Sequence, residues 1–96
     1  MIIRVFRARI RPGYRDEFEA FLREGPMPRI AARPGLVAQH VGCPLQPDSS
    51  EFVYVSVWED VASLQGFAGE RWQEAVIDKE EEHMLEETLI DHYEVL

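Results

Sequence analysis

The stretch EFVYVSVWEDVASLQGFAG, residues 51–69, holds two periodicities in immediate succession. Over residues 51–58, Val53, Val55 and Val57 alternate with Phe52, Tyr54, Ser56 and Trp58, which predicts a strand of β-branched and aromatic residues. Asp60 then stands where an N-cap belongs. Val61, Leu64, Phe67 and Ala68 follow at helical spacing until Gly69.

The neighbouring segments fit around this strand and helix. Upstream, LVAQHVGC (36–43) reads as a strand, and PLQPDSS (44–50) supplies the Pro, Asp and Ser of a hairpin-length loop. Further back, IIRVFRARIR (2–11) alternates, with Ile2, Phe6, Ala8 and Ile10 on one side and Arg7, Arg9 and Arg11 on the other. Pro12-Gly13 ends it with turn chemistry. Tyr14, Phe18, Phe21 and Leu22 then form a helical stripe that Gly25-Pro26 stops, and MPRIAARPG (27–35) adds one or two turns. Downstream, ERWQEAVI (70–77) extends the helical region through Trp72, Ala75 and Val76, and TLIDHYEVL (88–96) reads as a fourth strand.

The order is therefore β-α-β-β-α-β over one domain, residues 1–96: an α+β, ferredoxin-like fold with a four-stranded antiparallel sheet. Its helices cover one sheet face. A second copy of the same sheet is the simplest cover for the other, so a homodimer is expected.

Composition narrows the function classes. The 46% apolar content suits a globular domain, and no apolar run is long enough for a membrane span or signal peptide core. A single cysteine, Cys43, forms no internal disulfide, which points to a reducing cytoplasm. The net charge of −8 argues against nucleic acid as a partner. Residues 1–42 carry eight arginines and four acids, a net of +4; residues 43–96 carry a net of −12. Halves of opposite sign attract within one fold or across a dimer.

RARIRPG leading into an aromatic-rich helix, RPGLV opening the second strand, VYVSVWEDVASLQGFAG and the closing HYEVL together resemble a stand-alone domain of the antibiotic biosynthesis monooxygenase family. The resemblance implies a homodimer whose sheets pack face to face as a dimeric α/β barrel, with a ligand cleft between helices and sheet in each subunit. It implies a cofactor-free oxygenase acting on a small aromatic or polyketide-like phenol. A base removes a substrate proton, and the electron-rich anion itself reacts with oxygen.

In such oxygenases a tryptophan ends the third strand and an asparagine precedes it by four residues, on the same face. Here the pair is Trp58 and Tyr54, so a tyrosine replaces the asparagine. Haem-degrading relatives use an asparagine in the first strand, then a tryptophan and a histidine after the third. This chain has Phe6 or Arg7, Phe67 and EAVI there, which ranks haem degradation third. The second reading is a non-catalytic dimer that binds a small molecule.

The site expected on the leading reading has Trp58 and Tyr54 against the substrate ring, with Phe67 beside them. His92 or His40 acts as base near neutrality, and Arg7 or Arg9 steadies the anion. The fourth strand neighbours the first in this fold. Placing Tyr93 and Val95 toward the helices sets His92 and Glu94 beside Arg7 and Arg9 on the other face. DKEEEHMLEETLIDHYEV (78–95) has eight carboxylates and two histidines without the spacing of a metal site, so the run reads as a solvated surface docked by Met84, Leu85 and Leu89.

Overall fold

The sheet is built around its first strand. In the computed structural model, which describes residues 1–96, β1 (Ile2–Ile10) lies between β3 (Glu51–Trp58) and β4 (Leu85–Glu94), with β2 (Leu36–Gly42) on the far edge of β3. All three pairings are antiparallel, giving the order β2-β3-β1-β4 of the ferredoxin-like fold. Helices α1 (Arg15–Glu24), α2 (Pro26–Ala31), α3 (Val61–Ala68) and the single turn α4 (Lys79–Glu82) connect them.

Strand parity assigns the faces. Pairing of Ala8 with Phe52, Phe6 with Tyr54, Arg4 with Ser56 and Ile2 with Trp58 puts these residues on the helix-covered face. There Phe52, Tyr54 and Trp58 pack with Phe18 and Leu22 of α1, Ile30 of α2, Leu64 of α3 and Met84. Phe18 meets Phe52 edge to face at 5.0 Å, and Trp58 is wholly buried. Each such side chain contributes about 1.5–3 kcal/mol by leaving water. The other face carries Ile3, Val5, Val53, Val55, Val57, Leu89 and Tyr93, with half of Leu89 and Tyr93 in solvent.

Three expectations are corrected. Residues 70–77 do not continue the helix: Gly69 at φ 85° closes α3, and the segment crosses the sheet as turn and extended chain. The Arg4 guanidinium donates to the carbonyl oxygens of Trp72 (2.5 Å) and Glu74 (3.0 Å), which occupies acceptors that a helix would use itself. β4 also starts at Leu85, upstream of TLID, and its parity is opposite to that expected. Arg4 pairs with His92 and Ile3 with Tyr93, so His92 and Glu94 face the helices while Asp91 and Tyr93 share the open face with Arg7 and Arg9. The open face is largely apolar, and it accepts Tyr93 as readily as the helices would. Arg7 meets Asp91 at 3.5 Å and Arg9 meets Glu87 at 2.7 Å, exposed pairs worth about 0–1 kcal/mol each.

The expected cap at Asp60 is present, its Oδ1 accepting from the Ser63 N–H at 2.8 Å. Just beside it, Gly35 opens β2 at φ 84°, and its carbonyl accepts from the Glu59 N–H at 2.8 Å. A Cβ on residue 35 would collide with the Ser63 side chain. Gly35→Ala should therefore lower the unfolding free energy by at least about 2 kcal/mol in urea titration. Adding Ser63→Gly should recover the steric part and leave the backbone part, a coupling that a double-mutant cycle measures.

Candidate active site

On the helix-covered face, the two layers separate over Phe6, Tyr54, Ser56 and Arg4 to leave a cleft. Leu22, Pro26, Arg29 and Ile30 form one wall, and Phe67, Val76, Asp78 and Glu81 form the other. Its cavity volume is about 50 Å³, and it opens to solvent on one side. Apolar side chains make up half of its lining, with a few polar groups converging on them, which is the character of a small-molecule site.

The acidic run contributes the cleft's most perturbed carboxyl. Asp78 and Glu81 stand at the N-cap and N3 positions of α4, and Glu81 turns back so that Oε2 accepts from the Asp78 N–H at 3.0 Å. This holds the side chain inward, with only 4% of the residue exposed. Burial, reinforced by the Asp78 charge, outweighs that hydrogen bond and pushes the Glu81 carboxyl up to about 7. The segment is fastened on both sides: Arg29 holds Asp78 at 2.9 Å, and His83 meets Glu17 of α1 at 2.9 Å.

Across the cleft floor lies Arg4, the one charged residue on the buried parity of β1. Besides the two carbonyls, Nη1 donates to Nε2 of His92 at 2.9 Å. An arginine has no lone pair to offer, so His92 accepts at Nε2 and carries its proton on Nδ1. Burial, then the Arg4 charge, lowers the His92 pKa, and Trp72 closes over its ring edge-on at 5.0 Å. The Arg4 Cζ stands 5.9 Å from the Phe67 ring centroid. No carboxylate pairs with Arg4 within 4.0 Å, and desolvation lowers its pKa to about 10.

The residues singled out in the sequence divide between the two faces. Tyr54 and Phe67 line the cleft. The Tyr54 hydroxyl donates to Gln39 Oε1 at 2.6 Å, and burial pushes its pKa up to about 12, so it keeps its proton. Trp58 lies beneath them: it stacks on Phe67 at 5.4 Å, and its N–H donates to Ser56 Oγ at 3.0 Å. His92 sits behind Arg4, its Nε2 lone pair engaged. His40 pairs with Val55 on the open face, which also carries the half-buried Arg7 and the exposed Arg9, so the sheet separates all three from the cleft. Sequence reasoning missed Arg4 and Glu81. The signals available were an arginine on the apolar parity of β1, and the Asp-x-x-Glu spacing of a capping box inside the acidic run.

The family model described as antibiotic biosynthesis monooxygenase matches residues 1–83. Among solved structures, PA3566 from Pseudomonas aeruginosa is similar at 21% identity and TM-score 0.76, over 99% of this chain and 93% of that one. A putative antibiotic biosynthesis monooxygenase from Deinococcus radiodurans is 12% identical with TM-score 0.78, over 99% and 92%. A mutant of MhuD with two manganese protoporphyrin IX molecules bound per active site is 13% identical with TM-score 0.73, over 100% and 95%. At these identities the likeness is one of fold. No curated protein matches the chain.

Glu81 ties stability to pH. Its carboxyl titrates near 7 when folded, against an ordinary value of 4.5. An acid raised in the folded state is stabilised by its proton, so the contribution is complete below the unfolded value and lost as pH rises through the folded one. The carboxyl borders an open cleft, so the loss should be on the order of 1–2 kcal/mol. Urea unfolding at about pH 5 and about pH 8 should show it in the wild type, and Glu81→Gln should remove it.

Proposed function

Since the chain belongs to the antibiotic biosynthesis monooxygenase family, we propose that it is a cofactor-independent monooxygenase of small aromatic or polyketide-like phenols. The observation that carries this reading is Glu81, a carboxyl buried at an aromatic-walled cleft with a pKa near neutrality. A base works best when its pKa lies close to the working pH.

Glu81 takes a proton from the activated CH₂ of the phenolic substrate, whose ring lies against Phe6 and Phe67. The resulting carbanion, spread over the ring and its oxygen, bonds to O₂, and the peroxide recovers the proton that Glu81 removed. Loss of water from the hydroperoxide leaves a carbonyl. One oxygen atom enters the product and the other leaves as water, and the electrons come from the substrate. Tyr54, anchored by Gln39, presents its oxygen to the ring substituents as a fixed polar contact. Trp58 supports Phe67 from below. His92 positions Arg4.

Haem fits the cleft poorly. None of His40, His83 and His92 lines it, and its polar residues are two acids, two arginines, Ser56 and the protonated phenol of Tyr54.

The apolar open face is the dimer surface in this proposal. Ile3, Val5, Val53, Val55, Val57, Leu89 and Tyr93 meet their counterparts, and His40, Arg7 and Arg9 belong to that interface. Light scattering should give twice the chain mass, and Val55→Asp should halve it.

Oxygen uptake with purified protein, no added cofactor and a panel of reduced polycyclic phenols tests the chemistry. Protein-dependent uptake should appear with at least one compound, and kcat/KM should rise through about pH 7 as Glu81 ionises. Glu81→Gln should lower kcat by about 10²-fold or more. A flat trace across the panel, alongside tight retention of a small molecule, would favour the binding-protein reading instead. Unchanged turnover in Glu81→Gln would remove Glu81 from the role of base.

A further inference from the structure

Arg4 is a buried cation without a counter-ion. Only 4% of the residue is exposed, yet its three partners, the Trp72 and Glu74 carbonyls and His92 Nε2, are all neutral. The two cleft carboxyls do not serve it. Asp78 is taken by Arg29, and the charges that act on Glu81 are those of Asp78, Arg29 and Glu80. Arginine is rarely buried unless paired, because desolvating its charge costs several kcal/mol.

A guanidinium has five N–H donors in a planar fork. Nη1 uses both of its hydrogens and Nη2 uses one, so Nε–H and one Nη2 hydrogen remain. Nε–H and an Nη2–H form the edge of a guanidinium that a carboxylate engages side-on with two parallel bonds. No buried side-chain nitrogen or oxygen lacks a partner, so Nε, which makes no hydrogen bond, keeps contact with solvent, and Arg4 lines the cleft. Beside it stands the Phe67 ring, with Phe6 also on the cleft wall.

We propose that the cleft selects an aromatic carboxylate, its two oxygens on the Nε and Nη2 edge of Arg4 and its ring between Phe6 and Phe67. The inference rests on reading the cleft as the substrate site, and it narrows the substrate from phenols at large to hydroxyaromatic acids. The ligand supplies the missing negative charge, and a neutral ligand of the same shape leaves the arginine uncompensated. The tight fixing of Arg4 by Trp72, Glu74 and His92 removes the rotamer freedom that a surface arginine loses on binding, which favours selectivity for the planar anion.

The test is calorimetric titration of the full-length wild-type protein with hydroxynaphthoate and with the corresponding hydroxynaphthamide, the same ring and shape without the charge. The acid should bind about tenfold or more tightly than the amide at about pH 8. Arg4→Met, if it unfolds cooperatively like the wild type, should bring the two affinities together. Because Arg4 also anchors residues 72–74, the wild-type comparison decides the matter if that variant does not fold. Equal affinities, a preference for the amide, or no binding of either overturns the proposal. Oxygen uptake with the panel of reduced polycyclic phenols, whose members carry the activated CH₂, separates this claim from the previous one. A preference for the acid without uptake from any panel compound would sink the oxygenase reading and leave the carboxylate site standing. Uptake from a neutral panel phenol, alongside equal affinities for the acid and the amide, would do the reverse.

Discussion

The Arg4 guanidinium joins three parts of the chain that are otherwise far apart. From the central strand it reaches the carbonyls of Trp72 and Glu74 and the imidazole of His92 on β4. Those bonds hold residues 70–78 across the helix-covered face, and this path leads into α4 and so delivers Asp78 and Glu81 to the cleft wall. Breaking one hydrogen bond to a charged group typically costs about 1.5–3 kcal/mol, and here several act on one buried cation. The cleft is thus a consequence of where a single buried charge finds its donors' acceptors.

Charge also organises the outer surface. The basic first half and acidic second half meet within the one fold: Arg7 with Asp91, Arg9 with Glu87, Arg29 with Asp78. Each pair is weak because water reaches it. Their joint effect is directional, since β1 and β4 present complementary rows that favour this strand neighbour and register. The one arginine of β1 that faces inward has no partner of this kind, which is what sets it apart from Arg7 and Arg9.

Much of the fold was legible because its periodicities are clean. The alternation from Glu51 to Trp58, the Asp60 cap and the Gly69 stop all stand where the residues imply. Strand β4 was not legible in its facing, because both parities mix apolar and polar groups: Leu89, Asp91 and Tyr93 against Ile90, His92 and Glu94. Only the pairing with β1 decides between them. The site was less legible still. Tyr54 and Phe67 follow from strand and helix periodicity, but Glu81 is one glutamate among many in a run that looks solvated, and its burial depends on the turn at Asp78. Residues 70–77 have helical composition; their carbonyls bond to a side chain nearly seventy residues away, which no local pattern encodes.

The position of β1 between β3 and β4 governs how the molecule comes into being during synthesis. Strand β1 is made first, and its partner at Arg4 is residue 92. A nascent chain therefore carries its central strand with one edge unpaired until nearly all of the domain has left the ribosome. Closing so long a loop costs chain entropy, and pairing across this sequence separation favours slow folding. His92, the last of the three partners of Arg4 in chain order, arrives only with that strand.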